Sequence, residues 1–313
     1  MAEAPLHKAL TNNDTAPKLV YHLGVDAGFF SEYNNMILSI IYCLENELRF
    51  SIYSKDANFK IKNGWTDFFQ PFCDEESTGL HSIINKRPDK AYKRAIFTKI
   101  DRAIIAVGRN VFRNTLLMSD VWLQARSLPI NKEYRFPSLG ICGNLRDVCR
   151  QLINLTWVYS KDTQMKIDVL KASLTLPADY IGLHIRGGDK FIEAAQQEEK
   201  KYIDKAMSLT DCRSAFVLTD DYSVIERLRQ NYSGWEFFTL CGTEERGYFH
   251  QQFKKQSLAE KEKQLNNLFA SVDIISNAQL FIGTFSSNPG MYLGMRMEAS
   301  KTFSVDIAEW VVW

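Results

Sequence analysis

Apolar positions along the chain cluster into short runs broken by polar turns, and their spacing shifts between two periods. Residues 19–24, LVYHLG, and 49–54, RFSIYS, are runs of strand length. Between them Met36, Ile37, Ile40, Ile41 and Leu44 recur at three- and four-residue intervals, which predicts one apolar face of a helix with Ser31 as its N-cap. The loop after the first run, GVDAGFF, carries Gly24 and Gly28, so the chain opens as a βαβ unit. Residues 60–150 are rich in aromatics and show no clean period. From Thr163 the alternation is plain: helix 163–174, strand 180–186, helix 202–209, strand 214–220, helix 222–232, strand 235–240, a long helix 257–278, strand 279–284, a helix from Pro289, and strand 301–307.

Strands alternating with helices predict parallel sheets covered on both faces. The fold class expected is α/β, with two Rossmann-like domains facing a cleft. Residues 1–160 would form an N-terminal α/β domain on the acceptor side, and 161–313 a C-terminal nucleotide-sugar-binding domain. Ligands of such sheets bind beyond the carboxyl ends of the strands.

Composition narrows the function classes. Of 313 residues 45% are hydrophobic and 24% charged, the profile of a soluble globular protein, and the net charge of +1 gives no broad field to recruit nucleic acid. The six cysteines form no C-x-x-C pair and the five histidines no H-x-x-x-H spacing, which points to free thiols and away from a zinc site. No apolar run is long enough to span a membrane, and the N-terminus lacks a signal peptide's apolar core. The expected location is cytoplasmic or peripheral to a membrane, and lumenal only if an anchor has been removed.

Three predicted strands end in polar clusters that should share one rim of the sheet. The first ends in Arg186-Gly-Gly-Asp189-Lys190, the second in Asp220-Asp221, the third in Thr284-Phe-Ser286-Ser287-Asn288. A guanidinium grips phosphate oxygens through two parallel hydrogen bonds, and glycines beside it let backbone approach a ligand. His184, two residues before Arg186, points to the same side. A helix starting at Pro289, capped by Ser287 or Asn288, would offer an anion site at its N-terminus. Taken singly, each cluster also has a plain structural role: a solvated turn, a cap, or, for Asp220 and Asp221, the start of helix 222–232. No D-x-D triplet, Walker A loop or G-x-S-x-G elbow is present.

In order and spacing, HIRGGDK, EAAQQEEKKY, VLTDD and FIGTFSSN resemble the α1,6-fucosyltransferase family, which includes core and bacterial nodulation fucosyltransferases. The likeness covers residues 176–300 and, in the N-terminal half, only GVDAGFFSEYNN. It implies a GT-B-like pair of domains, GDP-fucose as donor, a glycan or glycoconjugate acceptor, inversion at the anomeric carbon, and neither metal nor other cofactor. By the same resemblance Arg186 would hold the β-phosphate, His184 would contact the guanosine end, Ser286 and Ser287 would bind phosphate, and Thr284 falls in the donor-binding set. Asp189, Lys190, Glu193 and Tyr202 fall at the family's donor and catalytic positions, and Glu193 is the candidate base, oriented by Lys190, with Asp220 second. Asp221, Gly24 and Gly28 complete the expected donor set. The chain departs from the family where Gly187 replaces a second arginine. The family's guanine-reading acid falls on Ser271 in a gapless register, which makes the nearby Asp273 the candidate. The chain also lacks the stem and SH3-like module of the animal enzymes. An α1,2- or protein O-fucosyltransferase, a catalytically silent sugar- or nucleotide-binding protein on the same fold, and a glycoside hydrolase using two of these carboxylates are the alternatives.

Overall fold

In the computed structural model of the chain the first two apolar runs lie side by side: β1 (Lys18–His22) pairs in parallel with β2 (Arg49–Tyr53). The structure describes residues 5–11, 13–24, 27–87, 106–108, 113–187, 198–247, 253 and 255–312. The chain divides into two units, residues 1–160 with 312–313, and residues 161–311.

The sheet of the first unit runs β3 (Asp74–Glu75), β2, β1, β4 (Thr115–Leu116), all parallel. The helix between β1 and β2 spans Phe29–Glu45 with Gly28 at its N-cap, so Ser31 lies in the first turn and does not cap it. Phe29, Tyr33 and neighbouring residues of this helix pack against Trp65, Phe69 and Trp157, with Tyr33 and Trp65 stacked at 4°. Asp67 fixes the chain in front of these rings by accepting the N–H groups of Ile61, Lys62, Asn63 and Gly64 at 2.8–3.0 Å. That packing accounts for the lack of a readable period around residues 60–85: Trp65 and Phe69 are supplied by an element of three residues and the short stretch after it, which carry no repeat. Two longer helices in this stretch went unread from the sequence, Met118–Arg126 and Leu145–Thr156. Leu145–Thr156 buries Leu145, Val148, Cys149, Leu152 and Ile153 along one face, and Asn144 caps it by accepting the Asp147 N–H at 3.1 Å. It follows a short antiparallel hairpin of β5 (Tyr134–Phe136) and β6 (Ile141–Gly143).

The second unit follows the predicted alternation closely. Its five strands are β7 (Ile181–His184), β8 (Ser214–Leu218), β9 (Glu236–Phe238), β10 (Phe281–Gly283) and β11 (Thr302–Ser304). They pair in parallel in the order β11-β10-β7-β8-β9. The chain starts in the centre at β7, winds outward through β8 and β9, returns through the helix Leu258–Ser276, and winds the other way through β10 and β11. Its direction therefore reverses between β7 and β10. Ile181, Leu183, Val217, Ile225 and Ile282 are fully buried around these strands. Gly182 is required inside β7, because a Cβ there would stand 2.6 Å from Ile275 Cγ2 of the returning helix. Among the described residues no helix is long and apolar enough to cross a membrane.

Candidate functional site

Where winding reverses in an open parallel sheet, the two loops leaving adjacent strands diverge and leave a crevice at the carboxyl edge. Here those loops are the ends of β7 and β10, and they carry two of the three polar clusters. His184 closes β7 and is buried, 5% exposed, with Nδ1 3.5 Å from Ser287 Oγ on the β10 side. Arg186 follows two residues later and is half-buried. Ser287 caps the helix Asn288–Arg296, accepting the Gly290 N–H at 3.2 Å and the Thr284 hydroxyl at 3.0 Å. Pro289 occupies the second helical position, where it forfeits no hydrogen bond. The turn is held very close to this helix: a Cβ on Gly290 would stand 1.9 Å from the Thr284 carbonyl oxygen. The result is a helix N-terminus, an imidazole and a turn whose Thr284 and Ser287 hydroxyls bond within it, Ser287 donating to the Thr284 carbonyl at 2.9 Å. Arg186 is next along the chain from β7, and a helix N-terminus and a guanidinium are groups suited to an anion.

The β8 end supports this crevice from the other side. Asp220 Oδ1 accepts the Gly187 N–H at 2.7 Å, and Asp221 caps the helix Tyr222–Asn231 by accepting the Ser223 N–H at 3.0 Å. A Cβ on Gly187 would lie 2.6 Å from Asp221 Cβ. The replacement of the family's second arginine by glycine thus has a local cause, since the turn presses on the two acids. The loop 242–247 folds over the same corner, with Gly247 N–H on the Asp220 carbonyl at 2.7 Å and Tyr222 N–H on the Glu245 carbonyl at 2.9 Å. Burial pushes the Glu245 carboxyl above its ordinary pKa, and the Glu244 and Asp220 charges add to this against the Gly242 N–H. Sequence reasoning passed over Glu245 because nothing in its neighbourhood placed it near Asp220.

Several expected ligands stand elsewhere. Tyr202 is a core residue, 2% exposed in the helix Glu199–Met207 and packed with Ile203 and Val224. Burial, with the Asp306 and Glu199 charges adding, pushes its hydroxyl pKa well up. Asp273 does not reach the crevice. The helix Leu258–Ser276 runs antiparallel to the strands and is near its end at residue 273; the adjacent Ile274 carbonyl accepts the hydroxyl of Tyr180, which lies at the amino end of β7. Asp273 there meets Arg296 at 2.7 Å and Lys171 at 3.5 Å, so its charge is already matched. Ser286 turns toward β11, with both its N–H and its hydroxyl on the Asp306 carboxylate. In the first unit Gly24 is tightly enclosed, since a Cβ would stand 2.5 Å from Asp56 Cβ, whereas nothing lies within 4 Å of a Cβ on Gly28. Asp189, Lys190 and Glu193 lie outside the described residues.

Among the described residues no group of three or more His, Cys, Asp or Glu is placed to hold a metal ion. No protein-family model and no curated protein matches the sequence. Solved structures do match its fold. NodZ α1,6-fucosyltransferase soaked with GDP-fucose is similar at 12% identity and a TM-score of 0.56, over 90% of this chain and 93% of that one. Fucosyltransferase NodZ from Bradyrhizobium is similar at 12% identity and a TM-score of 0.56, over 90% of this chain and 94% of that one. NodZ co-crystallised with GDP gives 11% identity and a TM-score of 0.54, over 90% and 93%. With two parallel α/β sheets matched across nine-tenths of its length, the chain has a fucosyltransferase-like fold.

Proposed function

We propose that this chain transfers fucose from GDP-fucose to a glycan hydroxyl, with inversion and without a metal ion. The observation that carries the reading is the approach of His184, at the end of β7, to the Thr284–Ser287 turn after β10 where the winding reverses, with Arg186 two residues beyond His184. The NodZ structure soaked with GDP-fucose supports the choice of donor. In this reading Arg186 and the N-terminus of the helix Asn288–Arg296 hold the diphosphate and take up the charge that develops as the sugar leaves. Glu193 takes the proton of the acceptor hydroxyl, with Lys190 orienting it. The oxygen attacks the anomeric carbon from the face opposite the phosphate, and the bonding pair of the sugar–phosphate bond leaves on the β-phosphate. The unit of residues 1–160 carries the acceptor, and the linkage is α1,6.

Calorimetric titration of the chain with GDP, UDP and ADP, followed by transfer from labelled GDP-fucose to a glycan array with and without EDTA, tests this. GDP should bind in preference, and a fucosylated acceptor should form at the same rate after chelation. A rate that collapses with EDTA and returns with Mn²⁺ would remove the metal-free mechanism. Release of free fucose without transfer would make the chain a hydrolase, and binding without turnover would make it a sugar-nucleotide-binding protein.

A further inference from the structure

Asp306, just beyond β11, carries no part of the site expected from sequence, yet it organises the turn that follows β10. Its Oδ1 accepts the N–H of Phe285 at 2.9 Å, the N–H of Ile307 at 2.8 Å and the hydroxyl of Ser304 at 2.5 Å. Its Oδ2 accepts the N–H of Ser286 at 3.2 Å and the hydroxyl of Ser286. Burial alone would raise this carboxyl's pKa, but the Ser286 and Ser304 hydroxyls and the Phe285 and Ser286 N–H groups outweigh it and hold it below the ordinary carboxylate range.

The turn therefore has two faces. Toward β11, the backbone N–H groups of residues 285 and 286 and the Ser286 side chain are all directed at Asp306. Toward β7, the Thr284 hydroxyl donates to Ser287, the Ser287 hydroxyl donates to the Thr284 carbonyl at 2.9 Å, and Ser287 approaches His184. This face is thus closed on itself and offers His184 and the start of the helix Asn288–Arg296 rather than free hydroxyl donors. Resting on the donor reading above, we propose that Asp306 is a positioning residue for the nucleoside diphosphate. It draws the 285–286 backbone toward β11, so that the start of the helix Asn288–Arg296, capped by Ser287, is the side presented to the phosphates. It also fills a cradle of N–H and hydroxyl donors that would otherwise take an anion on the wrong side of the turn.

Replacing Asp306 by Asn keeps the shape but sets an NH₂ group against one of the two sets of donors. Asp67 in the first unit supplies the control, because its carboxylate gathers four consecutive N–H groups of its own segment in the same manner. Calorimetry with GDP and GMP, at a temperature where circular dichroism shows each variant folded, reads the effect. Asp306→Asn should weaken GDP by about tenfold and lower the ratio of GDP to GMP affinity, as loss of charge-assisted hydrogen bonds around a phosphate site predicts. Asp67→Asn should lower Tm and leave both affinities unchanged. If Asp306→Asn does not fold, Ser304→Ala removes one donor from the same carboxylate and should weaken GDP several-fold with the same change in ratio. An unchanged ratio in the folded variant overturns the proposal, and tighter GDP binding does so too, by showing that Asp306 competes with phosphate. A wild-type chain that binds no GDP would instead overturn the donor reading, and the inference with it.

Discussion

The two units place a histidine at the same point of the same topology and use it differently. His22 ends β1 and His184 ends β7, each the first strand of a parallel sheet and each nearly buried, at 4% and 5% exposure. His22 sits between two oxygens: Nδ1 faces the Asn85 carbonyl and Nε2 lies 3.0 Å from Asp56 Oδ2. Burial pulls its pKa down, and the Asn85 carbonyl and Asp56 push against that. His184 instead meets the hydroxyl of Ser287 at the start of a helix, two residues from Arg186. Each loop then holds a glycine against an acid, Gly24 against Asp56 and Gly187 against Asp221. Topology supplies a rim in each unit, and the groups placed beside the histidine differ: a carboxylate and a carbonyl at His22, and at His184 the hydroxyl that caps a helix. On the proposed donor reading, the Asp56 carboxylate beside His22 disfavours a diphosphate at the first rim, whereas the Ser287 hydroxyl beside His184 at a helix start suits the second to one.

The widest test of this contrast is Arg186. Truncating a charge-assisted pair to phosphate costs roughly 2–4 kcal/mol, or about 30- to 1,000-fold in donor affinity, so Arg186→Ala should lose measurable transfer. Arg186→Lys should not restore it, since a point charge cannot replace the planar fork. His22→Ala, on the other rim, should lower stability and leave GDP affinity intact; equal losses of GDP affinity in both variants would erase the distinction.

Glu193→Gln should lose at least about a hundredfold in turnover while GDP affinity holds, as removal of a general base requires. Near-normal turnover there, with Asp220→Asn inactive but still binding GDP, would transfer the base to Asp220.

A pair of glycine substitutions sharpens the comparison through stability. Gly290→Ala drives a methyl into the Thr284 carbonyl and should cost about 1–3 kcal/mol, lowering Tm by roughly 2–12 °C. Gly28→Ala meets open space and should leave Tm within about 2 °C. Similar shifts in thermal melts of the two variants would count against the tight turn.

The smallest effect is acid-dependent and tests the first unit. Burial alone would raise the Asp67 pKa, but four backbone N–H donors more than offset it and hold it below the ordinary value. A depressed folded-state pKa contributes stability that is whole above the unfolded-state pKa of about 3.9 and is lost as pH falls through the folded value. The Tm difference between wild type and Asp67→Asn should therefore be constant near neutrality and shrink below about pH 4. A difference that does not change with pH would mean the carboxylate's charge plays no part.

The sequence alone determined most local elements of residues 161–311 and the position of three polar clusters after strands. Helices and strands of ordinary length there declare their period, and polar residues after a strand must emerge at one rim. It also put His184, Arg186, Thr284 and Ser287 next to the ends of β7 and β10, because each is set by its distance from a strand end. What it did not determine is which way each group turns. Asp221 became a cap, as its place before a helix allows, but only the β11 pairing shows that Ser286 belongs to Asp306, since those residues are 20 apart in sequence. Likewise, only the direction of the helix Leu258–Ser276 against the strands carries Asp273 to the far edge, where Arg296 and Lys171 meet it. Short-range order follows from propensity and period along the chain. Partners brought together by sheet order are fixed by packing across it, and no local pattern records them.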